Sequence, residues 1–302
     1  MPAPAPLPDA LPHPAFAVRD ALRIGVDPNR LRRSDLRTPF RGVRETATSE
    51  SLVDRCRALA AVLRPDAFYC GPTAALLWGI PLPRELADDE RLHVGHPHRQ
   101  RPTRLSGVVG HHFVITPAEL TSREGLPLTT PERTWCDLAA HLSRHDLVAA
   151  GDRVIWRRDP LARLGDVHEM VRRHPGRRGA LTRAAAALRL SDRADSPPES
   201  HLRLRFRDAG LPPASPNLEV RAAGGGLVAE IDLAFPAYRV GVDYEGDHHR
   251  VERRQWMRDL RRFADLEDAG WSIVRATADD LADTGRLVAS VRRRLTSRGW
   301  PG

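Results

Sequence analysis

The chain has 302 residues, 41% of them hydrophobic, which is enough for two domains each with its own core. Its 47 basic residues outnumber 39 acidic ones for a net charge of +8, and every basic residue is arginine, since the sequence contains no lysine. No run of about eighteen apolar residues occurs, which argues against a membrane-spanning helix, and Cys56, Cys70 and Cys136 are too scattered for a disulfide framework or a zinc site. They fit reduced thiols of the cytoplasm. An arginine-only basic surface suits bidentate contacts to phosphate and stacking on bases, which makes nucleic acid the leading partner class. A GC-rich coding sequence accounts for the same excess, because arginine and alanine codons are GC-rich.

Residues 1–14, "MPAPAPLPDALPHP", are mostly Pro and Ala without a basic cluster leading into an apolar run, and read as a disordered tail rather than a signal peptide. Residues 15–50 offer a short helix from about Phe16, a stop at Gly25, and a second helix opened by Asp27 and Pro28. That is the size of a helix-turn-helix, with Arg30, Arg32 and Arg33 on its second helix as DNA contacts. Residues 51–191 read as mostly helical with a small strand insert. In "SLVDRCRALAAVL" the apolar positions are Leu52, Leu59, Val62 and Leu63, "RLHVGHP" and "GVVGHHFVI" alternate like strands, and Thr130 caps a helix that starts at Pro131 and lines up Trp135, Leu138 and Leu142. His93, His96, His98, His111 and His112 crowd the insert, but with no paired cysteine beside them they read as strand-end histidines rather than zinc ligands. Helices around "DLVAAGDRVIW", "LARLGDVHEMV" and "ALTRAAAALRL" follow, and "SDRADSPP" breaks the pattern, which puts the domain boundary at residue 192.

Residues 192–302 hold most of the chemistry. Ser196, Pro197, Pro198 and Glu199 open a helix stopped by Gly210, and Ser196 with Glu199 has the spacing of a capping box. In "LVAEIDLAF" the residues Ile231, Leu233 and Phe235 are expected on one face and Glu230 and Asp232 on the other; in "RVGVDYE" Val240, Val242 and Tyr244 share a face, leaving Asp243 and Glu245 opposite. The short link "PAY" predicts a hairpin that sets Asp232 about opposite Val242 or Asp243. Like charges facing each other across a ladder are destabilising, so the crowding points to a hard cation such as Mg²⁺ held by Asp232 and Asp243, with Glu199 approaching from the helix. A solvent-facing strand of mixed charge, partly neutralised by Arg239, remains the alternative. His248 and His249 follow the glycine turn, and a histidine there can orient or deprotonate a water. The helix "RQWMRDLRRFADLEDAG" buries Trp256, Leu260, Phe263 and Leu266, and "WSIVRAT" and "LVASVRRRL" add a buried strand and a closing amphipathic helix. The order helix, strand, strand, helix, strand, helix defines a mixed α/β domain.

The stretch "SPPESHLRLRFRDAGLPPASPN…AEIDLAFPAYRVGVDYEGDHHR…RDLRRFADLEDAGWSIVRAT", about Ser196 to Thr277, resembles the very-short-patch-repair-endonuclease-like domain of unknown function, in the PD-(D/E)xK restriction-endonuclease-like superfamily. "GPTAALLWGIPLP" and "GLPLTTPERTWCDLAA" are more loosely similar to chains with an AbiEi-type antitoxin-like region, here within residues 51–191. The first resemblance implies an endonuclease or nicking enzyme that hydrolyses DNA phosphodiesters with Mg²⁺ or Mn²⁺. It carries Glu199, Asp232 and Asp243 over as metal ligands with Glu245 beside them, His249 as the group that positions or deprotonates water, and Asp259 and Arg262 as supports of the site or contacts to the scissile phosphate. Arg254 and Arg258 would touch DNA. The superfamily's lysine position holds Glu245, and many relatives carry Glu then Asp where this chain has Asp243 then Glu245. The antitoxin-like resemblance implies the alternative, a non-catalytic DNA-binding regulator that keeps the nuclease fold as a scaffold, and a toxin or repair partner.

Overall fold

The structure is a computed structural model that describes residues 4–97, 101–176, 178–222, 224–246 and 253–302, with the backbone alone over 253–260. It is a mixed α/β protein that divides into two compact units, Met1–Leu138 and Ala139–Gly302. Among the described residues no helix is long and apolar enough to cross a membrane, and Cys56, Cys70 and Cys136 are all free and buried.

In the first unit β1 (Ala15–Ala17) leads into α1 (Val18–Arg23), and β2 (Val43–Glu45) pairs antiparallel with β1. The expected second helix of a helix-turn-helix is a single 3-10 turn, Arg30–Arg32. Asp27 does accept the amide of Asn29 at 2.5 Å, the bond an N-cap makes, but the backbone turns extended at Arg33, with ψ 149°, before a helix propagates. Then come α2 (Leu52–Ala60), β3 (Phe68–Tyr69), α3 (Gly71–Trp78), α4 (Arg84–Ala87), β4 (Leu92–Pro97), β5 (Val108–Phe113), β6 (Leu120–Arg123), β7 (Leu126–Thr129) and α5 (Pro131–Leu138). Five of these strands form one sheet in the order β5-β4-β3-β7-β6. The unit is therefore a sheet with helices on it rather than a helical block with an insert; β3, at two residues, is too short to show alternation in sequence.

The second unit begins with α6 (Arg144–Val154), α7 (Leu164–Arg173) and α8 (Ala180–Ala187), which the sequence assigned to the preceding region. They belong here because Asp152 of α6, 1% exposed, accepts hydrogen bonds from the Ser191 amide at 2.7 Å, the Ser200 hydroxyl at 2.6 Å and the Arg203 guanidinium at 2.6 Å. Ser200 and Arg203 lie on α9 (Pro197–Asp208), so the boundary expected at residue 192 falls inside a bonded core.

After α9 the chain runs through β8 (Ser215–Arg221), β9 (Leu227–Phe235), β10 (Val240–Tyr244), α10 (Arg253–Asp268), β11 (Ser272–Ala276), α11 (Ala278–Ala282) and α12 (Thr284–Ser297). The sheet order is β11-β10-β9-β8, antiparallel except for the β10–β11 pair, which α10 connects as a crossover. β8 is additional to the expected elements. One side of the sheet packs Leu233, Phe235, Val240 and Val242 against Leu202 and Phe206 of α9 and Leu287, Val291 and Leu295 of α12. Each such fully buried side chain stabilises the fold by roughly 1.5–3 kcal/mol. The other side packs Val220, Ile231 and Ala234 against Leu266 of α10.

Ile231 thus leaves the face it was expected to share with Leu233 and Phe235. The β8–β9 register passes from Pro216↔Leu233 to Leu218↔Ile231, and the residue skipped, Asn217, has φ 46°. That left-handed conformation is one asparagine tolerates better than most residues, and Asp232 sits directly across from it. Gly241 completes the fit on this side, because a Cβ there would come within 2.8 Å of the Ile231 side chain and 2.7 Å of Ile273.

Candidate functional site

The β9–β10 register of Val240↔Phe235, Gly241↔Ala234 and Val242↔Leu233 brings Asp243 opposite Asp232 at the point where the paired ladder ends. There the two carboxylates take over the work of backbone carbonyls. Asp232 Oδ2 accepts the Tyr244 amide at 2.7 Å, and Asp243 Oδ1 accepts the Asp232 amide at 3.2 Å. A strand amide that loses its ladder partner inside a protein needs another acceptor, and each aspartate supplies one to the neighbouring strand.

Glu199 comes from the first turn of α9 and is 7% exposed. The Ser196 hydroxyl donates to its Oε1 at 2.7 Å, while the Asp195 amide and the Asn217 side-chain amide donate to its Oε2 at 2.9 and 2.6 Å. Ser196 in turn accepts the Glu199 amide as N-cap, but Glu199 takes the Asp195 amide rather than that of Ser196, so half of the expected capping box is present. The cap also carries Glu199 to the sheet, where its charge acts on Asp232.

Three carboxylates share one partly dry corner, and the repulsion within the trio falls on Asp232. Burial is the largest cause for all three: it pushes Glu199, Asp232 and Asp243 upward. Asp232 rises furthest, to about 7, because Asp243 and Glu199 add their repulsion to the loss of water. For Asp243, 3% exposed, Arg262 of α10 opposes the rise.

The Arg262 Nη2 lies 2.9 Å from Asp243 Oδ2 and donates to the Glu230 carbonyl at 2.7 Å. The first contact is one of charge rather than an aligned hydrogen bond, and Asp243 Oδ2 is buried without a hydrogen-bond partner. The rim carries more arginine than the sequence reading assigned to it. Arg157 and Arg158 hold the Glu230 carboxylate at 2.8 and 3.1 Å, and Arg158 also meets Asp195 at 2.8 Å. The doublet Arg157-Arg158 has no local signal that would join it to a strand more than seventy residues away. Arg239, which the mixed-charge alternative used to neutralise part of the strand surface, sits at the other end of β10, with its guanidinium against Gly270.

Of the residues predicted for the site, Glu199, Asp232, Asp243 and Arg262 are brought together. Glu245 stands apart on an ion pair with Arg275 of β11 at 3.0 Å, although its charge reaches Asp243. His249 lies outside the described residues, as do the side chains of Asp259, Arg254 and Arg258. In the first unit Arg30 is fixed to both oxygens of Asp35 at 3.0 and 2.8 Å and to the Ala5 carbonyl, and Arg32 to Asn29 at 2.8 Å. Arg33 follows at the C-cap of the 3-10 turn. Of the histidines of the insert, the rings of His93 and His111 meet at 3.0 Å and His96 accepts the Thr103 amide at 3.1 Å, while His98 lies outside the described residues.

Among the described residues no group of three or more His, Cys, Asp or Glu side chains is arranged to hold a metal ion. The donor set nevertheless suits a hard cation. Asp243 Oδ2 has no hydrogen bond, the Asp232 carboxyl spends one oxygen on Tyr244, and the surplus negative charge is opposed at Asp243 by one guanidinium.

The uncharacterized proteins MT2308 and Rv2248, from two strains of Mycobacterium tuberculosis, are each 32% identical to this chain over 253 residues, covering 82% of it and 89% of their own length. The chain belongs to the same family as these two proteins. No family model and no solved structure matches it.

Proposed function

We propose that this chain is a cytoplasmic, Mg²⁺- or Mn²⁺-dependent DNA endonuclease or nicking enzyme of the PD-(D/E)xK type. One observation carries the reading: Asp232 and Asp243 face each other at the open end of a hairpin with Glu199 beside them, and burial together with their repulsion lifts Asp232 to about 7. A carboxylate cluster held at that electrostatic disadvantage serves a cation better than it serves the fold. The order helix, three antiparallel strands, crossover helix and parallel strand supports the reading, because it delivers the three acids from α9, β9 and β10 to one corner.

In this reading Asp232 and Asp243 hold the ion and Glu199 orients them from the helix cap. A divalent cation bound there supplies Lewis acidity toward the phosphoryl oxygen and a lowered pKa for its water. Arg262 and the Arg157-Arg158 doublet offer guanidinium forks to the phosphate flanks. On the resemblance, His249 would take or direct the proton of the attacking water, Asp259 would support the site or contact the scissile phosphate, and Arg254 and Arg258 would touch DNA. Glu245 keeps Arg275 beside the site. Buried free thiols agree with a reducing compartment.

The test is incubation of purified protein with supercoiled plasmid, single-stranded DNA and a mismatched duplex in MgCl₂ or MnCl₂. The reading expects cleavage that EDTA stops and that Asp243→Asn lowers on the order of a thousandfold. DNA binding without cleavage of any substrate in either metal would overturn it in favour of a non-catalytic regulator.

A further inference from the structure

We propose that Arg262 is the resident counter-ion of the carboxylate corner, and that it gives way from Asp243 when a divalent cation is bound; this rests on the metal-dependent reading above. Its Nη2 is shared between the Glu230 carbonyl at 2.7 Å and Asp243 Oδ2 at 2.9 Å. Only the carbonyl receives a hydrogen bond, since Asp243 Oδ2 is buried with none. The guanidinium therefore neutralises Asp243 without satisfying it. An arginine cannot be released by deprotonation, because it stays charged at any pH the fold survives. It can leave only by moving, and something must replace its charge when it does.

The two partners differ in their freedom to move. The Asp243 side chain is 4% exposed and tied to the Asp232 amide, whereas the Arg262 side chain is 31% exposed and lies over the Phe263 ring at 5.5 Å. Arg262 can swing outward along that ring while Asp243 stays in place. Its displaced fork would stand at the rim beside Arg157 and Arg158, where a phosphodiester approaching the carboxylates arrives. One arginine then keeps the corner folded without metal and turns to substrate with it. No lysine exists to do either.

The experiment is Mn²⁺ titration and thermal unfolding of the full chain as wild type, Arg262→Gln and Arg262→Lys, in EDTA and in MnCl₂. Glutamine removes the competing charge, so Mn²⁺ should bind about tenfold tighter and raise the unfolding midpoint by about 4 °C more than in the wild type. Lysine keeps the charge but loses the fork that bridges Glu230 and Asp243, and should fall between the two, about threefold tighter. If Arg262→Gln does not fold, the lysine variant decides. Equal or weaker Mn²⁺ binding in the variants removes Arg262 from this role and leaves the metal reading standing. No Mn²⁺ binding by any of the three proteins overturns both.

Discussion

Two buried aspartates of the second unit face one arginine each, and they are used differently. Asp152 spends both oxygens, on the Ser191 amide, the Ser200 hydroxyl and Arg203 at 2.6 to 2.7 Å. Asp243 spends one, on the Asp232 amide, and leaves the other against Arg262 without a hydrogen bond. Burial raises the proton affinity of both. Asp152 joins α6 to α9 and its network is closed, which is how a buried charge serves a fold. Asp243 stands beside two more carboxylates in an open network, and that incompleteness is what the proposed metal site rests on.

The comparison can be broken most severely at its functional end. Asp232→Asn removes one of the facing carboxylates, so the endonuclease proposal expects DNA cleavage to fall on the order of a thousandfold, while the variant melts above the wild type near neutral pH. Steady-state cleavage and a melting curve on one preparation check both halves, and a variant that loses activity and stability together would make Asp232 structural. At the closed end, Arg203→Met leaves Asp152 buried and unpaired, and should destabilise the protein by about 3–5 kcal/mol. Denaturant unfolding measures it, and MnCl₂ should restore none of the loss, in contrast to the Arg262 variant. Rescue of the Arg203 variant by metal would erase the distinction between the networks.

The pH dependence follows from Asp232. Its carboxyl moves from 3.8 in the unfolded chain to about 7 in the fold, so the folded protein holds a proton that the unfolded chain releases between those values. The contribution of this group to stability is therefore fully present below about pH 4 and is lost as pH rises toward 7. Melting midpoints across that range should show a downward component in the wild type that Asp232→Asn lacks. Identical slopes for the two proteins would count against the raised carboxyl. The smallest effect belongs to Glu245, whose half-exposed pair with Arg275 is worth about 0.2–1 kcal/mol. Glu245→Ala should leave Mn²⁺ affinity within about twofold, since its oxygen points to β11 rather than to Asp232. A larger loss would place Glu245 among the ligands.

Much of this corner was legible in the sequence because it is local. A four-residue link, Pro236 to Arg239, set Asp232 opposite Asp243, and a Ser with Glu three residues on put Glu199 at a helix start. What escaped was set by distance in the chain. β8 carries Pro216 and a left-handed Asn217, which interrupt the alternation that announces a strand. The Asn217 amide on Glu199, the arginine doublet on Glu230, and the Asp152 network that binds α6 to α9 join residues with no shared local pattern. The same network explains why a Pro-rich break at residue 192 is not a unit boundary. In the first unit Arg30 looked free for DNA, and the fold gives it to Asp35.

The most direct test is anomalous diffraction at the manganese edge from crystals grown or soaked in MnCl₂. The account predicts a peak within coordination reach of Asp232 and Asp243, at about 2–2.6 Å, with the Arg262 guanidinium turned away from Asp243 Oδ2. A saturating soak that leaves the corner without a peak, and Arg262 still against Asp243, would contradict it.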